Sequence, residues 1–175
     1  IRLSGAAAEK LILLCGGNLE LIAGELDKLA LHAGEGGTVD ESVVERLVTR
    51  TAEQNVFLLV DELARLRLDR ALDLYRDLLL QKEEPVKLLA LIAGEVRLML
   101  LAKTLASQGM GIDAIAAALN VKPFRVRKAL EHAARFETER LDRALARLAE
   151  LDYGMKTGLA DKTLALELFM MELTA

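Results

Sequence analysis

Gly16, Gly17 and Asn18 stand directly before the helical run "LELIAGELDKL", Leu19 to Leu29. A glycine-rich turn ahead of a helix can aim backbone N–H groups at a phosphate. A phosphate cradle also needs a Lys and a Ser or Thr to reach the phosphates and magnesium. Here the turn is followed by Leu19 and Glu20, with no Lys or Arg for several residues. A carboxylate at that helix start repels a phosphate. The stretch therefore reads as a helix break, with Asn18 capping the next helix.

A second candidate is "IDAIAAALNVKPFRVRKALEHAAR", Ile112 to Arg135. It has the outline of a helix-turn-helix. A short helix and a tight turn at Asn120–Val121 precede a helix bearing Lys122, Arg125, Arg127, Lys128 and Arg135. A recognition helix points such residues into the major groove. The plainer reading is a solvated basic face in a helical array. The net charge of −4 favours the plainer reading, because domains that hold DNA alone are commonly basic. A helix-turn-helix regulator using the basic helix 122–135, with Lys122, Arg125, Arg127 and Lys128 on DNA, stays as the alternative.

Catalytic constellations are missing. His32 and His132 are far apart, without a Ser or Asp arrangement nearby in sequence, and read as surface or packing residues. The single cysteine, Cys15, excludes an intrachain disulfide and reads as a small buried hydrophobe. The histidines and cysteine have no metal-site spacing. Asp152 and Lys156 are spaced for an i,i+4 surface ion pair. Glu83 and Glu84 suit a helix N-terminus rather than a catalytic dyad. We expect no catalytic residue, no cofactor and no metal.

The elements behind these residues are all helical. Of the 175 residues, 53% are hydrophobic and 29% charged, a globular composition rich in Leu, Ala, Glu and Arg. Ser4 to Cys15 reads as a first helix capped by Ser4. The second runs to about Ala33, with Leu19, Ile22, Leu26 and Leu29 on one face. Asp40 caps a short third helix whose apolar side is Val43, Val44, Leu47 and Val48. A longer array starts near Gln54, with a stripe at Phe57, Val60, Leu63 and Ala64. Asp69 reads as a cap, Pro85 as a first-turn residue and Asp161 as a cap of the last helix. The most apolar stretch, Val86 to Ala106, is interrupted by Lys87, Glu95, Arg97 and Lys103. It reads as a helix buried on most sides of a bundle, not a membrane span. No sheet is expected. The chain opens on Ile1 and reads as a piece of a longer, cytosolic protein.

The order of segments resembles the C-terminal part of bacterial DNA polymerase III delta subunits, the clamp-loader family. "GGNLELIAGELDKLALHA" resembles the family's glycine break and following helix. "VDESVVERLV" is similar to the next short helix, with Asp40 where the family often has Thr. "NVFLLVDEL" resembles the opening of the last domain. "EEPVKLLALIAGEVRLMLLAKTL", "IAAALNVKPFRVRKAL" and "LDYGMKTGLADKTLALELFMMEL" follow in order, carrying Pro85, Arg97, Lys103, Asp152, Lys156, Gly158 and Leu166–Glu167.

The resemblance implies an all-α fold: a small three-helix AAA+ lid over residues 1–50, then a helical collar bundle over 51–175. It implies a structural part of the clamp loader that supports loading of the sliding clamp on primed DNA. The collar would assemble with delta prime and gamma/tau. The clamp would be contacted by an N-terminal domain that this sequence lacks. The fragment itself would be neither ATPase nor polymerase, although the parent holoenzyme is a DNA-directed DNA polymerase. ATP-hydrolysing relatives carry a sensor arginine just after the glycine break. Leu19 and Glu20 occupy the candidate positions here, so a nucleotide-sensing lid is disfavoured. Leu/Ala-rich collar faces would leave apolar surface exposed and give the isolated fragment a tendency to associate.

Overall fold

The structure, a computed structural model, describes residues 1–175. It comprises two compact units, Ile1–Gln54 and Asn55–Ala175. Ten helices and one minimal sheet follow in the order β1 (Arg2–Leu3), α1 (Gly5–Leu14), α2 (Leu19–Ala33), β2 (Thr38–Val39), α3 (Glu41–Leu47), α4 (Ala52–Ala64), α5 (Leu68–Leu80), α6 (Pro85–Ser107), α7 (Ile112–Leu119), α8 (Pro123–Ala133), α9 (Thr138–Thr157) and α10 (Lys162–Thr174).

In the first unit the helix boundaries follow the caps. Ser4 accepts from the N–H of Ala7 at 3.1 Å, and Asp40 from that of Val43 at 3.0 Å. Helices α1 and α2 both pack on α3, with Ala7, Leu11, Leu14, Leu29 and Val44 buried. Lys10 reaches Glu41 at 3.4 Å and Glu45 at 3.7 Å, tying α1 to α3. The expected absence of a sheet is corrected. β1 and β2 pair in parallel, Arg2 with Thr38 and Leu3 with Val39. Two-residue strands are too short to carry a period-two pattern, so nothing in the sequence marks them. Gly37 precedes β2, and a Cβ there would lie 2.1 Å from the Ala33 carbonyl oxygen.

The expected apolar face of α2 also needs correction. Leu29 is buried and Ile22 and Leu26 are half-buried, but Leu19 is 80% exposed. Leu19 is the first residue of the helix. At the end of the first unit, Thr51 and Gln54 cap α4 reciprocally. Gln54 Oε1 accepts from the Thr51 N–H at 2.7 Å, and Thr51 Oγ1 from the Gln54 N–H at 3.3 Å. This Thr-x-x-Gln capping box sets the start of α4 at Ala52, two residues before the expected Gln54.

In the second unit the 23-residue α6 is the central rod. It packs against α8, α9, α10 and α7, burying Leu88, Leu89, Ile92, Val96 and Met99. Burying each such side chain contributes about 1.5–3 kcal/mol of hydrophobic free energy. The expected α4 stripe of Phe57, Val60, Leu63 and Ala64 is buried throughout. Asp69 does not cap α5. Arg67 holds the N-cap position without a side-chain bond, and Asp69 lies within the first turn, where its charge opposes the helix dipole favourably. Gly158, at φ +76°, ends α9, and Asp161 caps α10 through the N–H groups of Thr163 and Leu164. Tyr75 of α5 is wholly buried and donates its hydroxyl to the Thr163 carbonyl of α10 at 3.0 Å.

Candidate functional site

The glycine break has the geometry of a helix end and a helix start. Gly16 and Gly17 take φ of +59° and +72°, the left-handed region that glycine enters without steric cost. Their N–H groups donate back to the carbonyls of Leu13 and Ile12 at 3.2 and 3.1 Å, closing α1. Asn18 Oδ1 accepts from the N–H of Glu20 at 3.0 Å and of Leu21 at 3.4 Å. The donors that would face a phosphate are thus engaged within the chain. Leu19 and Glu20 are both exposed beside them, an apolar and an acidic side chain.

The outline of a helix-turn-helix is present in α7, Asn120 and α8. Asn120 adopts the left-handed conformation that the turn requires, at φ +53°. The basic residues are not all free. Arg125 pairs with Glu95 of α6, and its guanidinium lies 4.7 Å from the centroid of the Phe57 ring. Lys128 pairs with Glu131 at 2.8 Å. Lys122 and Arg127 point to solvent. Arg135 lies beyond the end of α8, not on it as the sequence pattern suggests, because the helix stops at Ala133.

The polar chemistry that the sequence did not reveal is inside the second unit. His132 Nε2 lies 2.7 Å from Asp61 Oδ1, joining α8 to α4, and both residues are buried. The other carboxylate oxygen of Asp61 meets Arg65 Nε at 3.0 Å. Burial pushes the Asp61 carboxyl up. The hydrogen bond and charge of His132, with Arg65 and Lys128, outweigh that and hold it below the ordinary carboxylate value. The Phe57 ring covers the imidazole, with centroids 5.8 Å apart. The two residues are 71 positions apart, so no sequence motif could pair them.

Other long cations close helix ends. Lys103 donates to the carbonyls of Ala133, at 3.1 Å, and of Phe136, at the C-terminus of α8. Arg140 donates to the Leu173 carbonyl near the end of α10 at 2.8 Å. The Asp152–Lys156 pair forms at 2.7 Å on the surface of α9. Cys15 is buried, and burial, aided by Glu25, raises its thiol pKa against the weaker opposing pull of Lys28. His32 is exposed. No group of three or more His, Cys, Asp or Glu side chains is placed to hold a metal ion. No helix is long and apolar enough to cross a membrane.

Polar side chains here fasten helices to one another, while apolar side chains also face outward. Leu164, Leu168 and Met171 are exposed along α10, and Leu101 on α6. The fold and these contacts define a helical bundle whose helices are tied together by buried and half-buried polar side chains. Residues 53–173 match the family model described as DNA polymerase III delta subunit, C-terminal domain, and the chain belongs to that family. It is 42% identical over 167 residues to DNA polymerase III subunit delta of Bacillus subtilis (strain 168), covering 95% of this chain and 48% of that protein. It also superposes on the solved structure of a Bacillus subtilis DNA clamp loader delta protein. The TM-score is 0.87 at 41% identity, covering 98% of this chain and 51% of that one. The chain thus spans about half the length of these relatives. The comparisons give no support to a helix-turn-helix regulator.

Proposed function

We propose that this chain is the structural and assembly portion of a clamp-loader delta subunit in DNA replication. The observation that carries the reading is the match of residues 53–173 to the delta C-terminal domain, continued by the superposition over 98% of the chain. In this reading residues 1–50 act as an AAA+ lid-like domain and 51–175 as the collar that joins delta to delta prime and gamma/tau. The clamp is gripped by an N-terminal domain of the whole subunit, and primed DNA is met only within the complex. The loader serves a DNA-directed DNA polymerase, a nucleotidyltransferase, in the cytoplasm.

The chain itself carries out no hydrolysis or polymerisation in this reading. Its residues act by shape and contact. An arginine aimed at a γ-phosphate would stabilise transferring charge. Leu19 and Glu20 supply none of that, and the neighbouring N–H groups already serve Asn18.

Passing the purified chain over immobilised delta prime and gamma/tau tests the proposal. Retention is expected. Passage through the column, under conditions that retain full-length delta, overturns it.

A further inference from the structure

Helix α6 buries one face against its own bundle and leaves a second apolar face outside. Ala90, Gly94, Leu98 and Leu101 recur there at intervals of three and four, and none is buried. With Leu119 and Val121 from the end of α7 and the turn after it, they line an open cleft of about 380 Å³. Ala90 and Gly94 bring little side-chain bulk to it, beside the larger Leu98 and Leu101. An α6 face turned to water would ordinarily be polar.

The charges around this cleft are unevenly matched. Glu95 lines it but is paired with Arg125. Arg97 also lines it, is exposed, and has no carboxylate or carbonyl partner. The cleft therefore offers apolar low ground beside one uncompensated guanidinium. A second copy docked face to face across a two-fold axis would bring the same cleft, and no free carboxylate, to Arg97.

We propose that this cleft receives an amphipathic helix of a neighbouring protein subunit. Aliphatic side chains of that helix fill the space over Ala90 and Gly94, and a carboxylate on it meets Arg97. The inference rests on the assembly reading given above and names the surface that carries it. Arg97 sets register through its charge, and the aliphatic contacts supply the buried area.

Two variants of the chain test the cleft, with delta prime and gamma/tau from the same source as probes. A Cβ built on Gly94 meets nothing within 4 Å, so Gly94→Leu fills the cleft from α6 without entering the core. Helix content by circular dichroism should be kept, because Leu is a better helix former than Gly. Gly94→Leu should weaken binding about tenfold or more. Arg97→Glu should weaken it similarly, with the loss greatest at low salt, where charge contributes most. Leu80→Ala, at the exposed end of α5, should bind as the unaltered chain does.

Unchanged binding by both cleft variants overturns the inference and leaves the assembly reading standing. Failure of the unaltered chain to bind overturns the assembly reading and the cleft with it. Loss of self-association in Gly94→Leu by light scattering, with subunit binding intact, assigns the cleft to a second copy and also overturns the inference.

Discussion

Replacing Asp61 by Ala isolates the buried contact between α4 and α8. His132 is only 3% exposed, and its Nε2 loses the partner that lies 2.7 Å away. A buried polar group left without a partner costs about 1–3 kcal/mol. Arg65 also loses its carboxylate, but its side chain is 41% exposed, so that loss adds at most about 0.5 kcal/mol. The expected destabilisation is about 1–3.5 kcal/mol. For a unit of about 120 residues, an unfolding entropy near 2.1 cal/mol/K per residue converts each kcal/mol to about 4 °C. Thermal unfolding followed by circular dichroism should therefore show a midpoint about 4–14 °C lower. The difference has a pH signature. Asp61 is held below its unfolded value, so its stabilisation is complete above about pH 4–5 and fades as pH falls through the lowered value. A shift under 2 °C at pH 7, or a difference that grows on acidification, would refute the account of this pair.

Tyr75→Phe removes the hydroxyl that bonds the Thr163 carbonyl and should cost about 1 kcal/mol, or about 4 °C, whereas Tyr153→Phe on the 66% exposed Tyr153 should change nothing measurable. Leu148→Ala, at a position 1% exposed on α9, should cost about 3–5 kcal/mol by chemical denaturation, because the bundle can close only part of the cavity. Asn18→Ala frees the N–H groups of Glu20 and Leu21 and should destabilise the start of α2 by about 1 kcal/mol, seen as faster hydrogen exchange there.

The helices were legible because their signals are local. Ser4, Asn18, Asp40 and Asp161 are caps, and the α4 stripe from Phe57 to Ala64 repeats every three or four residues. The small sheet was hidden because two residues cannot show alternation. Asp69 misled because an acidic residue suits both the cap and the first turn, and only backbone geometry separates them. His132 and Asp61 belong to distant segments, so their pairing depends on how α8 docks on α4. The basic residues of α8 were visible as types, but not that Arg125 would be spent on Glu95 and Phe57. The cleft on α6 was half legible. An apolar helix was evident, yet which of its apolar residues stay uncovered is decided by its neighbours.

The most direct test of the central claim is the mass of the chain mixed with delta prime and gamma/tau, measured by light scattering after size exclusion. A single complex is expected, heavier than the partners alone by one copy of 19.1 kDa. A mixture that elutes as separate components, at concentrations where full-length delta assembles, would contradict it.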